Sequence, residues 1–136
     1  MGLVHAEIEI INAYDAALLR KSQIVDSAVR KMTVNALVDS GAYMMIIPDA
    51  VRLQLGLEIV GQELAEFANG KQEYVPIGEP IEVRFGNRKA TVDVLIAGNE
   101  VLLGAIPMEA MDVVIHPRTQ KLSVNPEHPN TPVFRI

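Results

Sequence analysis

An all-β fold with one or two short helices is the architecture this chain predicts. Three observations carry it. Apolar and polar residues alternate in many short segments, Gly and Asn sit together between those segments (Asn69-Gly70, Gly86-Asn87), and stretches with helical punctuation are few and brief. Many short strands joined by such turns indicate a small β-barrel. At 136 residues the chain is one domain, large enough to fold without staples. Hydrophobic residues make up 49% of it, with no Trp and only 4% aromatics, so the core must be aliphatic.

Val4 to Ile11 sets His5, Glu7 and Glu9 on one face and Val4, Ala6, Ile8 and Ile10 on the other, the pattern of a half-buried strand. Asn12-Ala13-Tyr14-Asp15 reads as a turn, and Ala16 to Ser27 suits a short helix or a loop insertion equally well. Val29 to Val38 returns to strand, with Val29, Met32, Val34, Ala36 and Val38 as core positions. Pro48 to Gly56 has Pro and Asp in front and Gly behind, the asymmetry of a short helix. Asn69-Gly70 is the strongest two-residue hairpin signal and joins Gln62–Ala68 to Lys71–Val75. Gly86-Asn87 joins Ile81–Phe85 to Arg88–Ile96, with Val83, Phe85, Ala90, Val92 and Val94 facing inward. Pro107 to Met111 can supply a short helix, and Asp112 to Val124 reads as strand, Pro-containing turn, strand. Residues 1–124 thus form the domain. Residues 125–136, with Pro126, Pro129 and Pro132, form a stiff extended tail whose end, Val133–Ile136, can add an edge strand to a partner.

Composition removes several function classes. Without cysteine there is no disulfide or thiolate chemistry and no sign of an oxidising compartment. Met1 to Glu7 lacks a basic start and a long apolar run, so no signal peptide is expected, and no apolar stretch is long enough to span a bilayer. A net charge of −5 with scattered Lys and Arg argues against a nucleic-acid or anionic-membrane surface, leaving a cytoplasmic protein as the expectation. His5, His116 and His128 lack ligand spacing, so no metal is expected, and no glycine-rich phosphate loop implies a nucleotide or other cofactor. Ser40 lacks the Gly-x-Ser-x-Gly elbow of a serine hydrolase. Met44-Met45 reads as core filler, Tyr43 can line a pocket, and Asp112 reads as a cap or turn residue.

The most informative stretch is Ala36-Leu37-Val38-Asp39-Ser40-Gly41-Ala42. An aspartate leaves an apolar strand and enters a tight turn. A carboxylate at the end of a buried strand is costly unless it is hydrogen-bonded or functional. Ser40 can bond neighbouring backbone, and Gly41 permits close approach. Well downstream, Val101-Leu102-Leu103-Gly104 supplies an apolar-apolar-Gly element ahead of the short helix. Together, and in this order, these landmarks resemble the retropepsin-like aspartic proteases from about Val29 to Val124, most closely their small single-domain bacterial and archaeal members.

That resemblance implies an acid-protease closed barrel, one half of a pepsin-type bilobed enzyme, with Asp39 catalytic. Ser40, Gly41, Ala42, Leu103 and Gly104 would support it, Ser40 by reaching across to the opposite loop. It also implies that Phe67, Ala68, Asn69, Gly70 and Lys71 form a flap over an extended polypeptide substrate, an ordinary surface hairpin being the alternative. Hydrolysis in this family uses two aspartates sharing one proton, because two adjacent carboxylates cannot both ionise readily. This chain carries the motif once, so a lone Asp39 requires a second copy and a symmetric homodimer. The expected function is a homodimeric aspartic endopeptidase. The alternative is a catalytically silent module of the same fold that binds peptides or dimerises. One departure bears on both: Gly104 is followed by Ala105-Ile106 and Gly41 by Ala42-Tyr43-Met44, so the Arg–acid pair found at these places in viral members is missing.

Overall fold

The computed structural model describes residues 3–136. Its strands, in chain order, are Val4–Asn12 (β1), Lys31–Val38 (β2), Met45–Ile47 (β3), Ile59–Glu66 (β4), Gln72–Phe85 (β5), Arg88–Ile96 (β6), Leu102–Leu103 (β7), Val113–His116 (β8) and Lys121–Val124 (β9). Ala13–Arg20 (α1), Asp49–Leu55 (α2) and Ala105–Met111 (α3) are the helices, with a single 3-10 turn at Asp26–Ala28. Mostly-β architecture is therefore as expected, but three short helices are present among the described residues rather than one or two.

Seven strands share one sheet in the order β1-β2-β7-β3-β6-β5-β4, and β1 pairs a second time with β5. The ladder from β1 through β2, β7, β3, β6 and β5 thus returns to β1 as a ring, and β4 stands outside it as a free edge. Inside sit the aliphatic side chains that the alternation selected. Ile8 and Ile10 of β1 meet Ala36 and Val38 of β2, Met45 and Ile47 of β3, Ile81 and Val83 of β5, and Val94 of β6. Each large aliphatic side chain fully buried there contributes roughly 1.5–3 kcal/mol relative to an exposed one. Met108 and Met111 of α3 join this cluster. The hairpin β8–β9 forms a separate two-stranded sheet, as its strand–turn–strand pattern predicted.

Four local expectations change. Asn12 to Asp15 is not a turn: Asn12 ends β1 and caps α1, its side chain accepting the Asp15 amide at 3.0 Å. The helix stops at Arg20, so Ala16 to Ser27 is part helix and part turn. Asp15 then becomes a buried anchor, bonded by the Arg30 amide at 3.0 Å and the Arg30 guanidinium at 2.8 and 3.0 Å. Hydrogen bonding from the Arg30 side chain holds its carboxyl below the usual range, against the opposing effect of burial.

The second change is at Asn69-Gly70. Phe67 donates to the Lys71 carbonyl at 2.8 Å, so the loop is the three residues Ala68-Asn69-Gly70, with Gly70 in the left-handed region at φ 82°. Third, the strands read as separate at 71–75 and 81–85 are one long β5 with a register shift between Gly78 and Ile81. Its prolines fall where the ladders need no amide: Pro80 within the shift, and Pro76 before pairing with β6 begins at Ile77. Fourth, β2 begins at Lys31, and of its five expected core positions Ala36 and Val38 are buried while Met32, Val34 and Val29 are half-buried. The Gly86-Asn87 turn and the short helix before Gly56 are as read, Gly56 closing α2 at φ 68°.

Residues 125–136 form no strand, including Val133–Ile136, but several are tied to the body. Asn87 donates to the Pro129 and Asn130 carbonyls at 2.9 and 3.2 Å, and the Arg88 guanidinium donates to the His128 carbonyl. Asp112, the left-handed cap of α3, collects the Val133 amide at 3.0 Å, the Asn125 side chain at 3.1 Å and His128 Nδ1 at 2.7 Å. The Val133 and Asn125 bonds, with the His128 contact, hold its carboxyl down at about 2.

Candidate active site

Asp39 follows the last residue of β2, where strand geometry gives way to a tight loop. Two parallel-strand bonds fix its approach: the Leu37 amide donates to the Val101 carbonyl at 2.9 Å and the Asp39 amide to the Leu103 carbonyl at 3.0 Å. The loop folds back at once, with the Ala42 amide on the Asp39 carbonyl at 3.1 Å. It then caps α3. Ala105 and Ile106, whose amides would otherwise be orphaned in the first helical turn, donate to the Ala42 and Tyr43 carbonyls at 2.8 and 2.9 Å.

Gly104 makes this clamp possible. Its φ of −90° is open to any residue. Space decides instead: a Cβ here would collide with the Met44 carbonyl oxygen and lie 2.8 Å from that of Ala42. Within the loop, the Gly41 amide donates to Asp39 Oδ1 at 2.9 Å, which orients the carboxylate and leaves Oδ2 without a partner among the described residues. A carboxylate oxygen without a partner and half-open to solvent can accept a hydrogen bond from a bound water or ligand.

Asp39 lies at the meeting of two hollows and is the residue common to both. One is a groove of about 740 Å³ running beneath the β4–β5 hairpin. Gly41, Ala42, Tyr43 and Met44 line it on the loop side, Leu64 to Ala68 on the hairpin side, and Ile46, Leu95 and Leu102 along its floor. The other, of about 490 Å³, is bounded by Leu3, Ser40, Ile115 and Pro117.

The sequence-derived site residues divide accordingly. Asp39, Gly41 and Ala42 face Phe67 and Ala68 across the groove, Ser40 turns to the second hollow, and Leu103 and Gly104 are buried beneath the loop. Asn69, Gly70 and Lys71 make the hairpin tip but do not line the groove. The floor was missed. Register brings it together, Ile46 lying opposite Leu95 on one side and Leu102 on the other. The available signal was alternation: with Met45 and Ile47 inside the ring, Ile46 must face out. Among the described residues no three His, Asp or Glu side chains are grouped as metal ligands, and no helix is long and apolar enough to cross a membrane.

Residues 25–109, more than half of the chain, match the family described as "gag-polyprotein putative aspartyl protease". The chain belongs to that aspartyl protease family. No curated protein matches it in sequence. Among solved structures, the retroviral protease-like domain of Ddi1 from Leishmania major is similar over 93% of this chain and 90% of its own, with TM-score 0.54 and 14% identity. The solution structure of the Simian Foamy Virus (mac) protease overlaps 79% of this chain and 91% of its own, with TM-score 0.46 and 18% identity. The fold of this family member is thus retropepsin-like, and the matched span contains both the Asp39 loop and Gly104.

Proposed function

We propose that this chain is one half of a homodimeric aspartic endopeptidase, its closed ring of strands standing for one lobe of a pepsin-type enzyme. Residues 1–124 form the working domain and 125–136 a tail. One observation carries the reading. Asp39 lines the groove with one carboxylate oxygen accepting the Gly41 amide and the other without a hydrogen-bond partner among the described residues, and the chain carries the Asp-Ser-Gly motif once. The missing carboxylate is supplied by Asp39 of a second copy. With one proton between them, the ionised aspartate takes a proton from a water as that water attacks the peptide carbonyl, and the protonated one hydrogen-bonds the carbonyl oxygen.

Ser40, exposed on the side away from the groove, reaches the opposite loop, while Gly41 and Ala42 shape the turn and Leu103 and Gly104 brace it. Phe67 and Ala68 cover an extended polypeptide from above, and Asn69, Gly70 and Lys71 form the tip that opens and closes. A cysteine-free chain of net charge −5 suits the cytoplasm. The second reading is a silent peptide-binding or dimerisation module of the same fold. It is favoured by Ala105 and Ile106 after Gly104, where no cation is available to lock the two loops.

A broad peptide library, incubated from pH 3 to 8 with wild type and Asp39→Asn side by side, separates the two. The enzyme reading expects cleavage by wild type alone, strongest below neutrality, with turnover falling by several orders of magnitude in Asp39→Asn. Sedimentation at micromolar concentration should show twice the chain mass. Cleavage by a strict monomer, or equal cleavage by both proteins, sinks the shared dyad; binding without cleavage leaves the silent module.

A further inference from the structure

We infer that Glu66 sets the charge preference of the groove, selecting peptides that carry Lys or Arg beside the apolar residues at the reaction centre. The inference rests on the groove being a peptide site. Apart from the Tyr43 phenol the rest of its lining is apolar, and its acidic side chains are the carboxylates of Asp39 and Glu66; no Lys or Arg lines it. Glu66 ends β4 on the hairpin that overhangs the groove. One of its oxygens accepts the Gln72 side chain at 3.0 Å and the other has no partner among the described residues. The nearest cation along the hairpin, Lys71, lies outside the lining and 3.8 Å from Glu73.

No neighbouring cation therefore neutralises Glu66, and the hairpin as a whole is acidic, with Glu63, Glu66 and Glu73 against Lys71. An acidic peptide residue beneath it meets like charge beside an apolar wall. An ammonium or guanidinium gains a partner while its methylene stem covers that wall. In a dimer the second Glu66 repeats the field at the other end of the groove, so cations on either side of the scissile bond are favoured. Discrimination of Lys over Glu at one such position should be roughly fivefold, the range of a partly exposed ion pair gained against one repelled.

The experiment uses extended apolar peptides that differ at one flanking residue, Lys, Ala or Glu. Their affinities are measured by fluorescence anisotropy on full-length Asp39→Asn, alone and combined with Glu66→Gln or Glu66→Lys, at low and high salt. Wild type and the Glu66 variants are offered the same mixture, and relative kcat/KM is read by mass spectrometry. The expected result is a Lys preference that collapses to near unity in Glu66→Gln, inverts in Glu66→Lys and shrinks in high salt. Glu66 is exposed, so both variants keep the fold, checked by unchanged thermal unfolding. Selective binding without cleavage overturns the protease reading and supports the assignment of Glu66. Cleavage with the same Lys-to-Glu ratio in all three proteins does the reverse. If no peptide binds at millimolar concentration and none is cut, both fall.

Discussion

Replacing Gly104 with Ala adds a single methyl group at the place where the Asp39 loop, β7 and α3 meet. The backbone tolerates it, since φ is −90°. The surroundings do not: the new carbon would overlap the Met44 carbonyl oxygen, approach that of Ala42 to 2.8 Å and the Met44 carbonyl carbon to 3.0 Å. Those are backbone atoms, so relief requires the loop to move as a body. Overpacking of this kind costs about 1–3 kcal/mol. The displaced Ala42 carbonyl is also the acceptor for Ala105 at 2.8 Å, and weakening that bond adds about 1 kcal/mol. The expected loss is thus roughly 2–4 kcal/mol. With unfolding entropy of about 0.3 kcal/mol/K for a chain of this size, Tm should fall by roughly 7–14 °C. Circular dichroism at one fixed protein concentration is the assay, because the proposed dimerisation would make Tm concentration-dependent. Gly41→Ala is the control. Its Cβ meets only the movable Asp39 Oδ1 at 3.1 Å, so stability should change by less than about 1 kcal/mol while the carboxylate is pushed aside. A Gly104→Ala protein within about 3 °C of wild type would refute the idea that this glycine is a spacer between two stretches of backbone.

Three further outcomes follow from charged groups. Arg30→Ala strands a buried carboxylate, whereas Asp15→Ala leaves a guanidinium that is 49% exposed and can rehydrate. Urea unfolding should therefore show the arginine variant losing about 2 kcal/mol and the aspartate variant less, and the reverse order would contradict the burial argument. The Asp15 pKa is depressed in the folded state, so the pair's contribution is complete above the unfolded carboxylate range and fades as pH falls through the lowered value. The wild-type advantage over Arg30→Ala should accordingly narrow in acid. Asp112 obeys the same sign: from 3.8 unfolded to about 2 folded, its hold on the tail is full above pH 4 and lost toward pH 2. The Val133 amide resonance should titrate with a midpoint near 2; a midpoint near 4 would mean that the tail is not clasped.

Much of the fold was legible because strand periodicity and turn chemistry agree. Gly86-Asn87, Gly56 and the alternation in β1 and β6 each dictate local structure without help from elsewhere. The misses share a cause, namely tertiary partners that override local signals. Asn12 looked like a turn residue because its side chain caps α1, and only burial of Asp15 against Arg30 shows why a helix starts there. Residues 71–75 and 81–85 read as separate strands, yet they are one β5, because the ladders leave the missing amides of Pro76 and Pro80 unneeded. The Asp39 loop could be read directly, since Asp, Ser and Gly act through adjacent backbone. The groove floor could not, because Ile46, Leu95 and Leu102 are neighbours only through register.

The place of β7 in the ring has a consequence for how the molecule is made. Its two residues lie between β2 and β3, which precede it far back in the chain. Until they emerge, β2 and β3 have nothing to join them, and the Asp39 amide has no Leu103 carbonyl to bond. A nascent chain on the ribosome therefore displays Asp39 in an unbraced loop, and α3, synthesised immediately afterwards, sets the clamp. Closing so long a loop for so short a strand is slow. The aspartate is thus synthesised well before the strand that braces it, and a chain cut before Leu103 has the motif without the geometry.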